Sequence, residues 1–302
     1  MKLAILIILS ILPAIILLWY FEKQDKGRKE PRKLKWKIFG WGILATVIAA
    51  VIELNLEDFY FYIGIDPIKH FWLYIFLGSF VTAALVEEAL KLWIVKTHVF
   101  RNKHFDEVMD GITYTIIASL GFATLENILY VLGLGYGIAI VRALISVPAH
   151  ALFSGIMGFY IGKSRFAVPS ESSKLLWKGF GIAIFYHGLF NFLLFTRSAL
   201  VFLVIPLMII MGVHLKTKIN EARFADKVTK TKPQKFTAIK ILKIFVGTVL
   251  IVVGIGSLAG SIMLSQDPTS GYTYQDIIYS SIFAVVLIAI SYAVLKKRSK
   301  KH

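Results

Sequence analysis

Residues 71–95 read FWLYIFLGSFVTAALVEEALKLWIV. A helical crossing of a bilayer takes about 20 predominantly apolar residues, and this run is long enough. Yet Glu87, Glu88 and Lys91 interrupt it. An ionisable group near the bilayer centre costs roughly 2.5–3.5 kcal/mol on insertion scales, so three on one segment need a reason. The stretch therefore predicts a membrane helix and also marks where function is to be sought.

The pattern repeats along the chain. Apolar runs of crossing length fall at about 2–21, 38–56, 70–95, 110–132, 138–162, 179–196, 198–215, 241–264 and 277–295. Hydrophobic residues make up 57% of the 302, and mean hydropathy is +0.71. Each run must be a helix, because lipid offers the backbone no hydrogen-bond partner. The expected fold is all-α: one polytopic membrane domain over residues 1–302, with about nine transmembrane helices. A catalytic core is expected at about 70–196, with helices appended at about 1–56 and 198–302.

A formal charge of +16 on a soluble surface would suggest nucleic acid, but these charges are segregated. Eight Lys and Arg fall in Lys23–Lys37, three in Lys96–Lys103, four in Lys163–Lys178, nine in Lys216–Lys243 and five in the tail KKRSKK. With nine crossings all five regions lie on one side, and the positive-inside rule makes that side cytoplasmic. The N-terminus is then outside and the C-terminus cytoplasmic. The opposite loops, such as EDFYFYIGID (57–66) and SQDPTSGYTYQD (265–276), are short and poor in positive charge. The first run, LAILIILSILPAIILLWY after Lys2, is too long for a signal-peptide core and lacks a small-x-small cleavage site, so it reads as a retained helix. Cysteine is absent, which removes disulfides, thiolate nucleophiles and Cys-ligated metals.

Inside the spans, away from their ends, ionisable groups are few: Glu87, Glu88 and Lys91 on the third, Glu126 on the fourth, His150 on the fifth and His187 on the sixth. Asn127 and Asn191 accompany them. Glu53 lies near the outer end of the second span and reads as interfacial. Glu87 and Lys91 are i,i+4 and share a face, in the favourable Glu-before-Lys order. Glu88 lies about 100° round the helix and is free to point elsewhere. GFATLEN (121–127) aligns Glu126 with Phe122, Ser119 and Thr115. SVPAHALFSG (146–155) aligns Ser146, His150 and Ser154, with Pro148 able to bend the helix, and FYHGLFNF (185–192) aligns His187 with Asn191. At 1.5 Å per residue, Glu88 and His187 lie roughly 13 Å from the cytoplasmic ends of their spans, His150 about 18 Å and Glu126 about 24 Å. Convergence near mid-membrane is allowed, and Glu126 fits it least. Ser154, Gly158 and Gly162 form a ridge of small residues suited to close helix packing.

Carboxylates and imidazoles in a partly dry cavity serve water activation in two ways. They hold Zn²⁺ in a mixed His/Glu shell with one position left for a water whose pKa falls towards 7. Alternatively a carboxylate acts as general base while His donates a proton. Both suit amide hydrolysis, with Glu88 activating water and the Glu87–Lys91 pair tuning it. The expected site comprises Glu87, Glu88, Lys91, Glu126, His150, His187 and Asn191, with Glu88, Glu126, His150 and His187 as the metal ligands. Other intramembrane hydrolase patterns are missing. There is no H-E-x-x-H; Leu152–Gly155 lacks the leading glycine of a rhomboid-type serine motif; and Tyr136 stands where an aspartyl intramembrane protease has Asp.

With those residues in view, the chain resembles the PrsW family of intramembrane proteases, distant relatives of the CAAX-processing proteases and their bacteriocin-immunity cousins. The matching elements are Glu87-Glu88-x-x-Lys91, Phe122-x-x-x-Glu126-Asn127, His150 and His187-x-x-x-Asn191, in the family's order on successive helices over about residues 70–196. The CAAX relatives have a longer E-E-x-x-x-R element and His where Glu126 stands. The resemblance implies a protease whose characterised members cut single-pass membrane anti-sigma factors, with Glu87, Glu88 and His150 or His187 catalytic or metal-binding. It is compatible with a metalloprotease or with a metal-free glutamate mechanism. Two other classes compete. An ion- or proton-coupled transporter also uses intramembrane Glu and His, but the two halves of this chain show no internal repeat. The other is a non-catalytic membrane binding or immunity protein with a retired active site; the plainest reading of all is a structural hydrogen-bond network without chemistry.

Overall fold

The computed structural model describes residues 2–134, 141–229 and 274–295, with isolated residues between 243 and 262. Every regular element among them is helical. Numbered along the chain, the helices are α1 (Lys2–Gln24), α2 (Arg32–Tyr62), α3 (Phe71–His98), α4 (Val108–Leu134), α5 (Arg142–Arg165), α6 (Pro169–Phe195), α7 (Val204–Ala225, after a 3₁₀ turn Ala199–Leu203) and α8 (Tyr274–Leu295). Seven helical stretches among the described residues are long and apolar enough to cross a membrane, α1 to α6 and the stretch containing α7. They coincide with the first seven expected runs. The ninth coincides with α8, and the eighth, 241–264, lies almost wholly outside the described residues.

The chain divides into two compact units, Met1–Arg197 with Met211–Gln234, and Ser198–Ile210 with Lys235–His302. The first holds every expected site residue. At its centre α4 and α5 form the most extensive helix pair, with α2 and α1 against α4, α6 against α5, and the middle of α3 against α6. Lipid supplies no hydrophobic force between helices, so close backbone approach matters. A Cβ on Gly158 would sit 2.4 Å from the Gly111 carbonyl oxygen, and one on Gly162 would sit 2.2 Å from that of Val108. The expected small-residue ridge is therefore where α5 meets α4.

Two details of the helices position the site. Leu77–Leu85 in α3 and Arg142–Ser146 in α5 are π-helical, and each ends just before site residues, Glu87–Glu88 and His150. π-turns are frequent at functional sites. They change the angular phase of whatever follows, and the second also accommodates Pro148. At the other end of the unit, two carboxylates satisfy the orphan donors at the start of α4. Asp110 Oδ2 accepts from the N–H groups of Asp106 and Glu107 at 2.8 and 2.7 Å, and Asp226 accepts from those of Val108 and Met109 at 2.8 and 2.9 Å.

Candidate active site

Four helices bring the expected ionisable residues together. Glu88 and Lys91 are wholly buried, and Glu87, His150 and His187 nearly so. Lys91 Nζ donates to Glu87 Oε2 at 3.0 Å and to Glu88 Oε1 at 2.7 Å, and lies 3.1 Å from His150 Nδ1. The expected Glu87–Lys91 pair is present, but Glu88 does not point elsewhere: it shares the same ammonium. Glu88 is further held by Ser154 Oγ, which donates to Oε2 at 3.0 Å, and lies 3.2 Å from His187 Nδ1. Phe153 stacks on the His187 ring at 4.3 Å, and Ser119 donates to the His150 carbonyl at 2.9 Å.

Glu126, the residue that depth alone places furthest out, reaches the cluster. Its Oε2 lies 3.0 Å from His150 Nε2, and its Oε1 lies 2.9 Å from Arg142 Nη2. By direction neither Glu126 Oε2 nor Arg142 Nη2 makes an aligned hydrogen bond, so these pairings are chiefly electrostatic. Asn191 lines the cavity described below, one helical turn beyond His187.

Glu87, His150 and His187 each offer a ligand atom, all within 4.8 Å of one another. His150 Nδ1 is 3.8 Å from Glu87 Oε2, and His187 Nε2 is 3.9 Å from Glu87 Oε1. Each imidazole presents its other nitrogen to a carboxylate, Glu126 for His150 and Glu88 for His187. Metal-ligating histidines are oriented in this way, so the donor set fits a metal. A metal bound here would take the His150 lone pair that faces Lys91.

A cavity of about 510 Å³ opens onto this group. Glu87, His150, His187 and Glu126 line its inner end, whereas Glu88 and Lys91 do not. Its walls continue along Glu53, Glu57, Tyr74 and Arg142 to Pro67 and Arg197, at the ends of α2, α3 and α6 remote from the basic loops. Two of these residues have a blander reading in the sequence: Glu53 as an interfacial group, and Arg142 as one of the charges near span ends. The available signal for Arg142 was a full charge within the run GIAIVRALISVPAH (137–150).

The chain matches the model of the PrsW family intramembrane metalloprotease over residues 30–214. It belongs to the PrsW family. By that membership it is a membrane-embedded peptidase, and the match extends beyond the 70–196 stretch that carries the motifs. Protease PrsW of Geobacillus kaustophilus is 40% identical over 195 residues, covering 64% of this chain and 81% of that relative. Protease PrsW of Bacillus subtilis is 36% identical over 214 residues, 71% of this chain and 94% of the relative. That of Clostridioides difficile is 34% identical over 217 residues, 70% and 88% respectively. No solved structure matches the chain.

Proposed function

We propose that this PrsW-family peptidase hydrolyses a peptide bond of a single-pass membrane protein on the extracytoplasmic side, with Glu87 as the carboxylate that meets the attacking water. The observation that carries this is the cavity, which reaches Glu87, His150 and His187 from the helix ends opposite the basic loops. With the N-terminus outside, nine crossings and the C-terminus cytoplasmic, those ends face away from the cytoplasm of the cell membrane. A single-pass anti-sigma factor is the substrate class that the family resemblance implies.

Within this reading the adjacent glutamates divide the work. Glu87 is on the cavity wall, so an entering water meets it first. Glu88 sits behind, and its contacts to Lys91, Ser154 and His187 fix the orientation of the His187 ring. Glu126 does the same for His150. A zinc ion would be held by Glu87, His150 Nδ1 and His187 Nε2, a carboxylate-plus-two-imidazole set used by hydrolytic zinc sites, and would supply a water ionised near neutral pH. Lys91 balances the two buried carboxylates, which would otherwise face each other across a water-poor interior. Asn191, at the cavity wall, is placed to hydrogen-bond a substrate carbonyl. The catalytic core is residues 70–196.

The test is cleavage of single-pass membrane proteins co-reconstituted with wild-type chain or with Glu87→Gln. The reading expects a product whose new terminus maps to the outer half of the membrane segment or just outside it, lost in Glu87→Gln. Cleavage on the cytoplasmic side, or cleavage that Glu87→Gln leaves intact, contradicts it.

A further inference from the structure

Arg142 opens the π-helical turn of α5, two turns ahead of His150. Its side chain is largely enclosed, and it lies against three groups of α4. Nη2 lies 2.9 Å from Glu126 Oε1, Nε donates to Asn127 Oδ1 at 3.1 Å, and the guanidinium carbon stands 4.1 Å above the Tyr130 ring. Asn127 is itself anchored, donating to the Ser10 carbonyl at 2.8 Å. The second Glu126 oxygen, Oε2, is the one 3.0 Å from His150 Nε2. One carboxylate therefore bridges a guanidinium and an imidazole, each on its own oxygen, and both ends of the bridge belong to α5.

We propose that Arg142 is a positioning residue for the reaction: it fixes Glu126, and through Glu126 holds His150 with Nε2 on that carboxylate and Nδ1 turned to Glu87 and Lys91. The inference rests on the protease reading for its consequence, but not for its geometry. Without Arg142, Glu126 Oε1 loses its cationic partner in a span that offers little water, and the carboxylate is free to rotate away from the imidazole. Lysine is an incomplete substitute. A planar fork spans Glu126 and Asn127 with its carbon over the Tyr130 ring, whereas an ammonium offers a point charge without that shape. Removing groups that orient metal-ligating or catalytic histidines typically costs 10–100-fold in affinity or activity.

Two readouts test the proposal on Arg142→Gln, Arg142→Lys, Glu126→Gln and the double variant Arg142→Gln/Glu126→Gln. The first is ¹⁵N NMR of histidine-labelled, metal-free protein in detergent, with the His150 signals assigned by their loss in His150→Asn. Wild type is expected to hold one tautomer, protonated at Nε2. Arg142→Gln is expected to mix the two, and Arg142→Lys to stay closer to wild type. The second is cleavage kinetics, where Arg142→Gln should lower kcat about 10–100-fold with KM nearly unchanged. The double variant should be no worse than Glu126→Gln alone, and Arg142→Lys should recover part of the loss. An unchanged tautomer in folded Arg142→Gln, an effect confined to KM, or a double variant whose loss is the product of the single losses would overturn the proposal. If wild type cleaves no membrane protein, the protease reading fails while the NMR arm still decides the positioning role. If Arg142→Gln does not give a monodisperse protein, Arg142→Lys carries both arms, and identity with wild type in both would overturn the idea.

Discussion

Two polar clusters occupy opposite depths of the same helical unit, and they use the same residue types differently. At the start of α4, Asp226 with both oxygens and Asp110 with Oδ2 accept from backbone N–H groups, and Asp25 and Glu30 accept from Thr113 and Tyr114 side chains. These carboxylates tie off a helix end and the loop between α1 and α2. In the interior, Glu87, Glu88 and Glu126 accept no backbone N–H; they face Lys91, Arg142, His150 and His187. A carboxylate that terminates backbone donors is structural. One that faces imidazoles and a cavity is free to do chemistry.

If that contrast is right, substitutions in the two clusters separate activity from stability. The largest effect is expected at the inner cluster, where Glu87→Gln should lower cleavage by about 10²–10⁴-fold while the melting temperature of the metal-free protein in detergent stays close to that of metal-free wild type. An activity within a few-fold of wild type would remove Glu87 from the chemistry. Next comes Lys91→Met, which leaves two buried carboxylates without their shared ammonium. Breaking a buried ion pair from one side costs about 3–5 kcal/mol, so this variant should be strongly destabilised in denaturant unfolding. A nearly normal unfolding midpoint would show that the pair of glutamates does not need the lysine.

Smaller effects belong to the capping cluster. Asp226→Ala should cost about 0.5–2 kcal/mol, the usual range for a lost helix cap, and leave kcat unchanged. A large fall in kcat with normal stability would put Asp226 in the wrong cluster. The smallest effect is a pH dependence. Burial pushes the Asp25, Glu30 and Asp226 carboxyls above their ordinary values of 3.8, 4.5 and 3.8. A carboxyl with a raised folded-state pKa binds its proton more tightly in the folded chain. Its contribution to stability therefore falls as pH rises from the ordinary carboxylate range through the folded-state pKa. Glu30→Gln should flatten the decline in melting temperature as pH rises above the ordinary carboxylate range, and an unchanged or steeper slope would contradict this assignment.

Much of this arrangement was legible in the sequence, for definite reasons. Apolar runs long enough to span lipid force helices, and the described helices fall where the runs do. The intramembrane charges on four successive helices single out the residues that meet. What a straight helix hides is phase. With π-helical turns at Leu77–Leu85 and Arg142–Ser146, the angular position of Glu87, Glu88 and His150 does not follow from 3.6 residues per turn. Hence Glu87 rather than Glu88 lines the cavity. Depth counting placed Glu126 furthest out because it ignored the reach of its side chain, which brings Oε2 to 3.0 Å from His150 Nε2. Discounting charges near span ends, a sound rule for snorkelling lysines, removed Arg142 itself from view.

The most direct test of the central claim, that Glu87, His150 and His187 converge into one water-activating centre, is the metal content of detergent-purified, never-chelated protein by mass spectrometry. Wild type, Glu87→Gln, Glu88→Gln, His150→Ala and His187→Ala would be compared. The account predicts about one zinc per wild-type chain, lost in Glu87→Gln and both histidine variants, and retained more weakly in Glu88→Gln, where only an orienting group is gone. Folded wild-type protein without metal, or zinc that survives Glu87→Gln and disappears in Glu88→Gln, would contradict it.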